Sequence, residues 1–183
     1  MPVLAAEPNL FPANLLESPA GPDCQWWVLH TRPRQEKALA RQMLEQRIPF
    51  YLPIIKRRFR LRGRNMTSHV ALFPGYVFLL GDREQRVGAL TTNRVVRALP
   101  VANQDVLWHD LQQVQRLLAS GAPITPEDRL TPGVAVEIRT GPLAGLKGKI
   151  LRTASGKRFV VEVDFIQRGA SVLLDDFCLS SLE

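Results

Sequence analysis

Cysteine is nearly absent from this chain: Cys24 and Cys178 are the only two among 183 residues, and neither sits in a CxxC pair. A disulfide framework and a cysteine-ligated zinc site are therefore unsupported, and a reducing cytoplasm is the expected compartment. Apolar runs are short, well under the ~18 residues that a membrane-spanning helix requires. Residues 1–24 contain no Lys or Arg and no continuous apolar stretch, so the pattern of a secretory signal is missing and export is not expected. Catalytic signatures are missing too. There is no GxxxxGK(S/T), GxGxxG or GxSxG run, and His30, His69 and His109 stand apart without HxxxH-type spacing. Asp175 and Asp176 are adjacent, so in a strand they point to opposite faces and cannot share acid/base work. We expect no enzyme activity, no metal and no other cofactor.

What is present is an ordinary globular composition, 45% hydrophobic and 22% charged, long enough for one domain or two small ones. Lys and Arg number 24 against 17 Asp and Glu, a formal +7, which favours a polyanionic partner. The excess is local. Residues 32–64 hold 11 basic and two acidic side chains, a net +9, which leaves −2 for the rest of the chain. Within that stretch Lys56, Arg57, Arg58, Arg60, Arg62 and Arg64 fall at nearly alternate positions, the pattern of an extended hairpin or loop. So dense an arginine run repels itself unless an anion relieves it, and these six residues are the candidate nucleic-acid contacts; the alternative is a merely solvated face.

The leader, residues 1–24, mixes five prolines with scattered Leu and Phe, and is expected to be mostly disordered, although the Leu10-Phe11 and Leu15-Leu16 pairs could dock. Gln25–Thr31 reads as a strand, followed by a helix whose apolar face is Leu39, Ala40, Met43 and Leu44 and which Pro49 stops. A second strand begins at Phe50 and runs into the arginine stretch. A third, Val70–Leu80, carries a Pro74-Gly75 kink. Asp82 and Gln85 form a cap-like pair opening a short helix, and Asn93–Pro100 returns as a strand. Leu107, Leu111, Val114 and Leu118 mark an amphipathic helix.

This order predicts an α+β fold: an N-terminal α/β sandwich over residues 25–120, with flanking helices on an antiparallel-rich sheet of split βαβ type. Residues 121–132, with three prolines and no apolar period, read as a linker. Residues 133–183 alternate Val, Ile and Phe between glycine turns, which predicts a small five-stranded β-barrel of strands rather than helices.

Trp26-Trp27-Val28-Leu29-His30-Thr31, then Glu36-Lys37 and Phe73-Pro74-Gly75-Tyr76-Val77-Phe78, resemble the N-terminal (NGN) domain of the NusG family of transcription elongation factors. Gly133 to Ile150, including Gly141-Pro142-Leu143-Ala144-Gly145-Leu146-Lys147-Gly148-Lys149-Ile150, is similar to that family's KOW motif. The likeness covers residues 25 to 183. It implies a non-enzymatic factor that grips the clamp coiled coil of RNA polymerase, suppresses pausing or termination, and recruits a second machine through its KOW domain. On that resemblance Phe73, Tyr76, Phe78, Leu99 and Val101 are the expected polymerase contacts. Arg86, Arg94 and Arg97 would face the non-template strand or other nucleic acid. Leu146, Phe165 and Ile166 would meet a ribosomal protein or a termination factor. A monomeric cytoplasmic protein with no membrane contact is expected.

The leader, the arginine-rich stretch and Pro33-Arg34-Gln35 depart from the housekeeping pattern and point toward a specialised, RfaH-like paralogue. The alternative from another class is a ribosome-associated KOW protein that binds structured RNA directly.

Overall fold

The computed structural model describes residues 7–154, 156–174 and 179–181. Cys178 and the Asp175-Asp176 pair therefore lie outside the described residues. The chain divides into two compact units, residues 1–104 and 105–183.

In the first unit the elements run β1 (Leu10–Phe11), β2 (Gln25–Thr31), α1 (Glu36–Glu45), β3 (Phe50–Tyr51), β4 (Ile54–Leu61), β5 (Arg64–Ala71), β6 (Tyr76–Gly81), α2 (Arg83–Thr91) and β7 (Val95–Pro100). Five of the strands form a sheet in the order β1-β3-β6-β2-β7, with every neighbouring pair antiparallel. The other two, β4 and β5, pair only with each other. One face of the five-stranded sheet carries Leu29, Val77, Leu79 and Phe50. These cluster with Leu39, Ala40 and Met43 of α1 and Ala89 of α2, so the helical period read from the sequence does bury its apolar face here.

Helix α2 starts as its sequence dictates: Asp82 accepts the Gln85 N–H at 2.8 Å, and the Gln85 side chain accepts the Asp82 N–H at 3.0 Å. That reciprocal box satisfies two donors that a helix start otherwise leaves orphaned. The expected single strand Val70–Leu80 is two strands, because Leu72–Gly75 turns the chain between β5 and β6.

Of the leader, residues 7–24 are described, and there the two apolar pairs that the sequence offered for docking are held in the fold. Leu10 pairs with Tyr51 and Phe11 with Phe50, Leu52 donates its N–H to the Asn9 carbonyl, and Leu15 and Leu16 are buried. Two apolar pairs suffice to hold this Pro-rich segment because an open sheet edge supplies the backbone partners that it cannot supply itself.

The second unit comprises α3 (Gln104–Ala119, its first residue excepted), β8 (Thr125–Glu127), β9 (Val134–Ile138), β10 (Lys147–Thr153), β11 (Gly156–Val163), a single 3₁₀ turn (Asp164–Ile166), β12 (Arg168–Leu173) and β13 (Leu179–Ser181). Leu107, Leu111, Val114 and Leu117 are the buried residues of α3, and Leu118 is only half-buried, so the covered face is wider on the Leu117 side than the i, i+4, i+7, i+11 pattern predicts. Six strands rather than five form an antiparallel sheet in the order β13-β9-β10-β11-β12-β8. The extra strand comes from the stretch read as a linker, where Thr125, Pro126 and Glu127 pair with Ser171, Ala170 and Gly169. Pro126 fits because β8 is an edge strand.

Candidate nucleic-acid ribbon and polymerase-contact face

Strands β4 and β5 close through Arg62 and Gly63, both with positive φ (47° and 78°). That is the backbone a two-residue antiparallel hairpin needs to follow the twist of its strands. The register pairs Lys56 with His69, Arg57 with Ser68, Arg58 with Thr67, Phe59 with Met66, Arg60 with Asn65 and Leu61 with Arg64. Alternation then sorts the side chains. Lys56, Arg58, Arg60, Asn65, Thr67 and His69 share one face, while Arg57, Phe59, Leu61, Arg64, Met66 and Ser68 share the other. Every residue from Lys56 to Thr67 is exposed, so all six basic residues singled out in the sequence are brought together on one solvated ribbon.

The three other arginines part company. Arg86 lies with its guanidinium 4.6 Å from the Trp27 ring centroid, a cation–π contact. Arg94 is held by side chains, donating from Nε to Gln42 Oε1 at 2.8 Å and from Nη1 to Gln35 Oε1. Arg97 alone of the three is exposed.

The expected polymerase contacts are arranged by register. Tyr76 pairs with His30 and Phe78 with Val28 across β6 and β2; His30 pairs with Arg97 and Val28 with Leu99 across β2 and β7. Tyr76, Phe78 and Leu99 therefore share the sheet face opposite to the helix-covered cluster. The turn before Tyr76 is pinned: buried Glu36 accepts the Gly75 N–H at 2.7 Å, and the Gly75 carbonyl accepts the Thr31 N–H at 2.8 Å. Gly75 has φ 87°, a conformation glycine adopts without steric cost.

Three of the five expected polymerase contacts are buried. Phe78 is fully buried, with the Phe73 ring edge-on at 6.3 Å and the Tyr51 ring at 6.4 Å; Phe73 and Val101 are buried as well. Only Tyr76 and Leu99 keep surface, Tyr76 lying beside the His30 ring at 5.5 Å. The reason is that the sheet face at Phe78 is covered, with the Phe73 and Tyr51 rings against it, whereas Tyr76 at the start of β6 is only half-buried.

In the second unit Leu146 and Ile166 are buried and Phe165 is exposed. Helix α3 contributes a polar row that the sequence did not single out. Asp110 Oδ2 accepts the Asp164 N–H at 3.0 Å, Gln113 Oε1 accepts the Lys147 N–H at 3.2 Å, and Arg116 Nη2 donates to the Ala144 carbonyl at 2.9 Å. The spacing i, i+3, i+6 is the available signal, since it lines one helix face. Burial pushes the Asp110 carboxyl up to about 6; the Asp164 N–H pulls it down, and the Asp164 and Glu162 carboxylates push it further up.

Among the described residues no three His, Cys, Asp or Glu side chains gather closely enough to hold a metal ion, and no helix is long and apolar enough to cross a membrane.

Three comparisons bear on identity. No curated protein matches the chain. Among solved structures, Thermotoga maritima NusG is similar with a TM-score of 0.49 and 18% identity, covering 87% of this chain and 98% of that one. The family profile described as transcription termination factor NusG matches residues 24–126, more than half of the chain and the whole of the β2-to-β7 region that carries both candidate surfaces. The chain belongs to the NusG family, whose members are non-enzymatic factors of transcription elongation and termination.

Proposed function

We propose that this chain is an elongation factor that rides on RNA polymerase and suppresses pausing or termination. The NGN-like region docks on the clamp coiled coil through the surface left by Tyr76 and Leu99. Phe78, Phe73 and Val101 act as the packed floor that holds these two in place. Half-exposed aromatic and aliphatic side chains over a rigid floor are the kind of anchor that a helix tip can use.

The β4–β5 ribbon, with Lys56, Arg57, Arg58, Arg60, Arg62 and Arg64, contacts nucleic acid at the transcription complex, and Arg97 adds to that charge. The KOW-like C-terminal region recruits a ribosomal protein or termination factor, with Phe165 as its exposed apolar contact. The protein works as a cytoplasmic monomer without a cofactor. An operon-specific role fits the docked leader and the arginine-rich ribbon.

The match of residues 24–126 to the family carries this reading. Binding of the full chain to core polymerase is its test. Tyr76→Ala combined with Leu99→Ala is expected to weaken capture at least tenfold while far-ultraviolet circular dichroism stays unchanged. Unchanged capture by a folded double variant overturns the clamp assignment. Co-sedimentation with ribosomal particles in place of polymerase favours the ribosome-associated alternative.

A further inference from the structure

The tip of the ribbon carries apolar side chains that have nothing to bury against. Phe59, Leu61 and Met66 are 42%, 54% and 43% exposed, although a solvated two-stranded ribbon has no core to require them. They are not scattered. Phe59 and Met66 are direct cross-strand partners, and Leu61 follows two residues along on the same face, so the three form one small patch. Arg57 and Arg64 lie on that same face at its two ends, and Arg58, Arg60 and Arg62 are adjacent in the chain.

A flat apolar ring bracketed by guanidinium groups is complementary to one chemistry in particular: the π-face of an unpaired base on a phosphate backbone. Duplex grooves offer polar base edges, and their π-faces are hidden in the stack. We propose that the ribbon tip is a stacking platform for single-stranded nucleic acid, in which a base lies on Phe59 against Met66 and Leu61 while Arg57 and Arg64, on the same face, hold the flanking phosphates and Arg58 and Arg60, on the opposite face, add to the positive field around the strand. This rests on the nucleic-acid reading of the ribbon and adds the form of the ligand. The unpaired strand is DNA or RNA, and both present the same base and phosphate chemistry.

The test uses the full chain and short oligonucleotides of one sequence as single-stranded DNA, single-stranded RNA and DNA duplex, with fluorescence anisotropy for affinity. An internal 2-aminopurine reports stacking directly by its quenching. Phe59→Ala is expected to weaken single-strand binding about tenfold, to abolish the quenching, and to leave both duplex binding and the salt dependence unchanged. Phe59→Trp is expected to retain binding and quenching. The single strand that binds more tightly identifies its source. If Phe59→Ala matches the unsubstituted protein while Arg58→Glu with Arg60→Glu loses binding, the platform is refuted and the basic ribbon survives. Should the arginine double variant also bind as before, with the same salt slope, the ribbon reading itself falls. Duplex binding that depends equally on Phe59 overturns the single-strand assignment.

Discussion

The β4–β5 ribbon is inserted between two strands of the five-stranded sheet, yet ribbon and sheet treat aromatic residues in opposite ways. Phe59 on the ribbon is 42% exposed, and Phe78, two strands later, is 0% exposed. Both alternate with neighbours in a β-strand, both stand in segments that the sequence marks as functional, and intrinsic propensity does not distinguish them. The number of layers does. A two-stranded ribbon has nothing above or below its tip, whereas β6 lies in a sheet whose faces are covered, by the helix-lined cluster on one side and by the Phe73 and Tyr51 rings at Phe78 on the other. In the ribbon a side chain is available to a ligand by default. In the sheet it becomes support unless it reaches the rim, as Tyr76 does.

The largest expected effect sharpens this contrast. Phe78→Ala should destabilise the protein by about 3–5 kcal/mol, because it removes a buried ring and leaves a cavity beside Phe73 and Tyr51. Phe59→Ala should change stability by less than about 0.5 kcal/mol, as exposed substitutions do. Urea unfolding of both variants measures the difference, and equal losses would break the comparison. Next in size is charge on the ribbon. Replacing Arg57, Arg58 and Arg60 by Ala should lower nucleic-acid affinity roughly a hundredfold near 0.1 M salt, and reduce the slope of log affinity against log salt by about 0.7 for each single-strand phosphate that is no longer neutralised. A slope that does not move would show those side chains to be merely solvated.

The turn beneath Tyr76 comes third. Glu36→Ala should cost about 1–3 kcal/mol by leaving the Gly75 N–H without its acceptor, and Glu36→Gln should recover most of that. A polymerase-binding defect in Glu36→Ala that Glu36→Gln rescues would mark Glu36 as a positioning residue for Tyr76.

Asp110 extends the contrast to charge, since the ribbon keeps its charges in water and Asp110 does not. Its folded-state pKa of about 6 lies above the ordinary 3.8, so the stabilisation belongs to the protonated form. It is fully present below pH 3.8 and is lost as pH rises through about 6. Asp110→Asn keeps the acceptor for the Asp164 N–H and removes the charge. After discounting for solvent screening, it should stabilise the protein by about 1–2 kcal/mol at pH 7. That advantage should shrink toward zero near pH 4. Unfolding at the two pH values measures it, and an Asn variant less stable at pH 7 would refute the direction. The smallest effect is Asp82→Ala, about 1 kcal/mol from loss of the capping box over α2.

Much of this was legible from residue order. The bounds of β2 follow from a short β-favouring apolar run, the start of α2 from Asp82 and Gln85, and the ribbon from basic residues at nearly alternate positions. What escaped was too short or too ambiguous to carry a period. Leu10–Phe11 and Thr125–Glu127 are strands of two and three residues in proline-rich surroundings, and only a waiting sheet edge makes them strands. Phe59 stood in plain view inside the arginine run, but its exposure depends on the absence of a covering layer, which no local pattern encodes.

The order of residues alone determined the type of most elements, where charge accumulates and where helices begin, because these depend on neighbours within a few positions. Tertiary structure decided which of the marked side chains have surface. Burial is a property of how many strands and helices surround a position, and that number is set by pairings between residues far apart in the chain. Phe78 became a floor, Tyr76 a rim and Phe59 a platform for that reason.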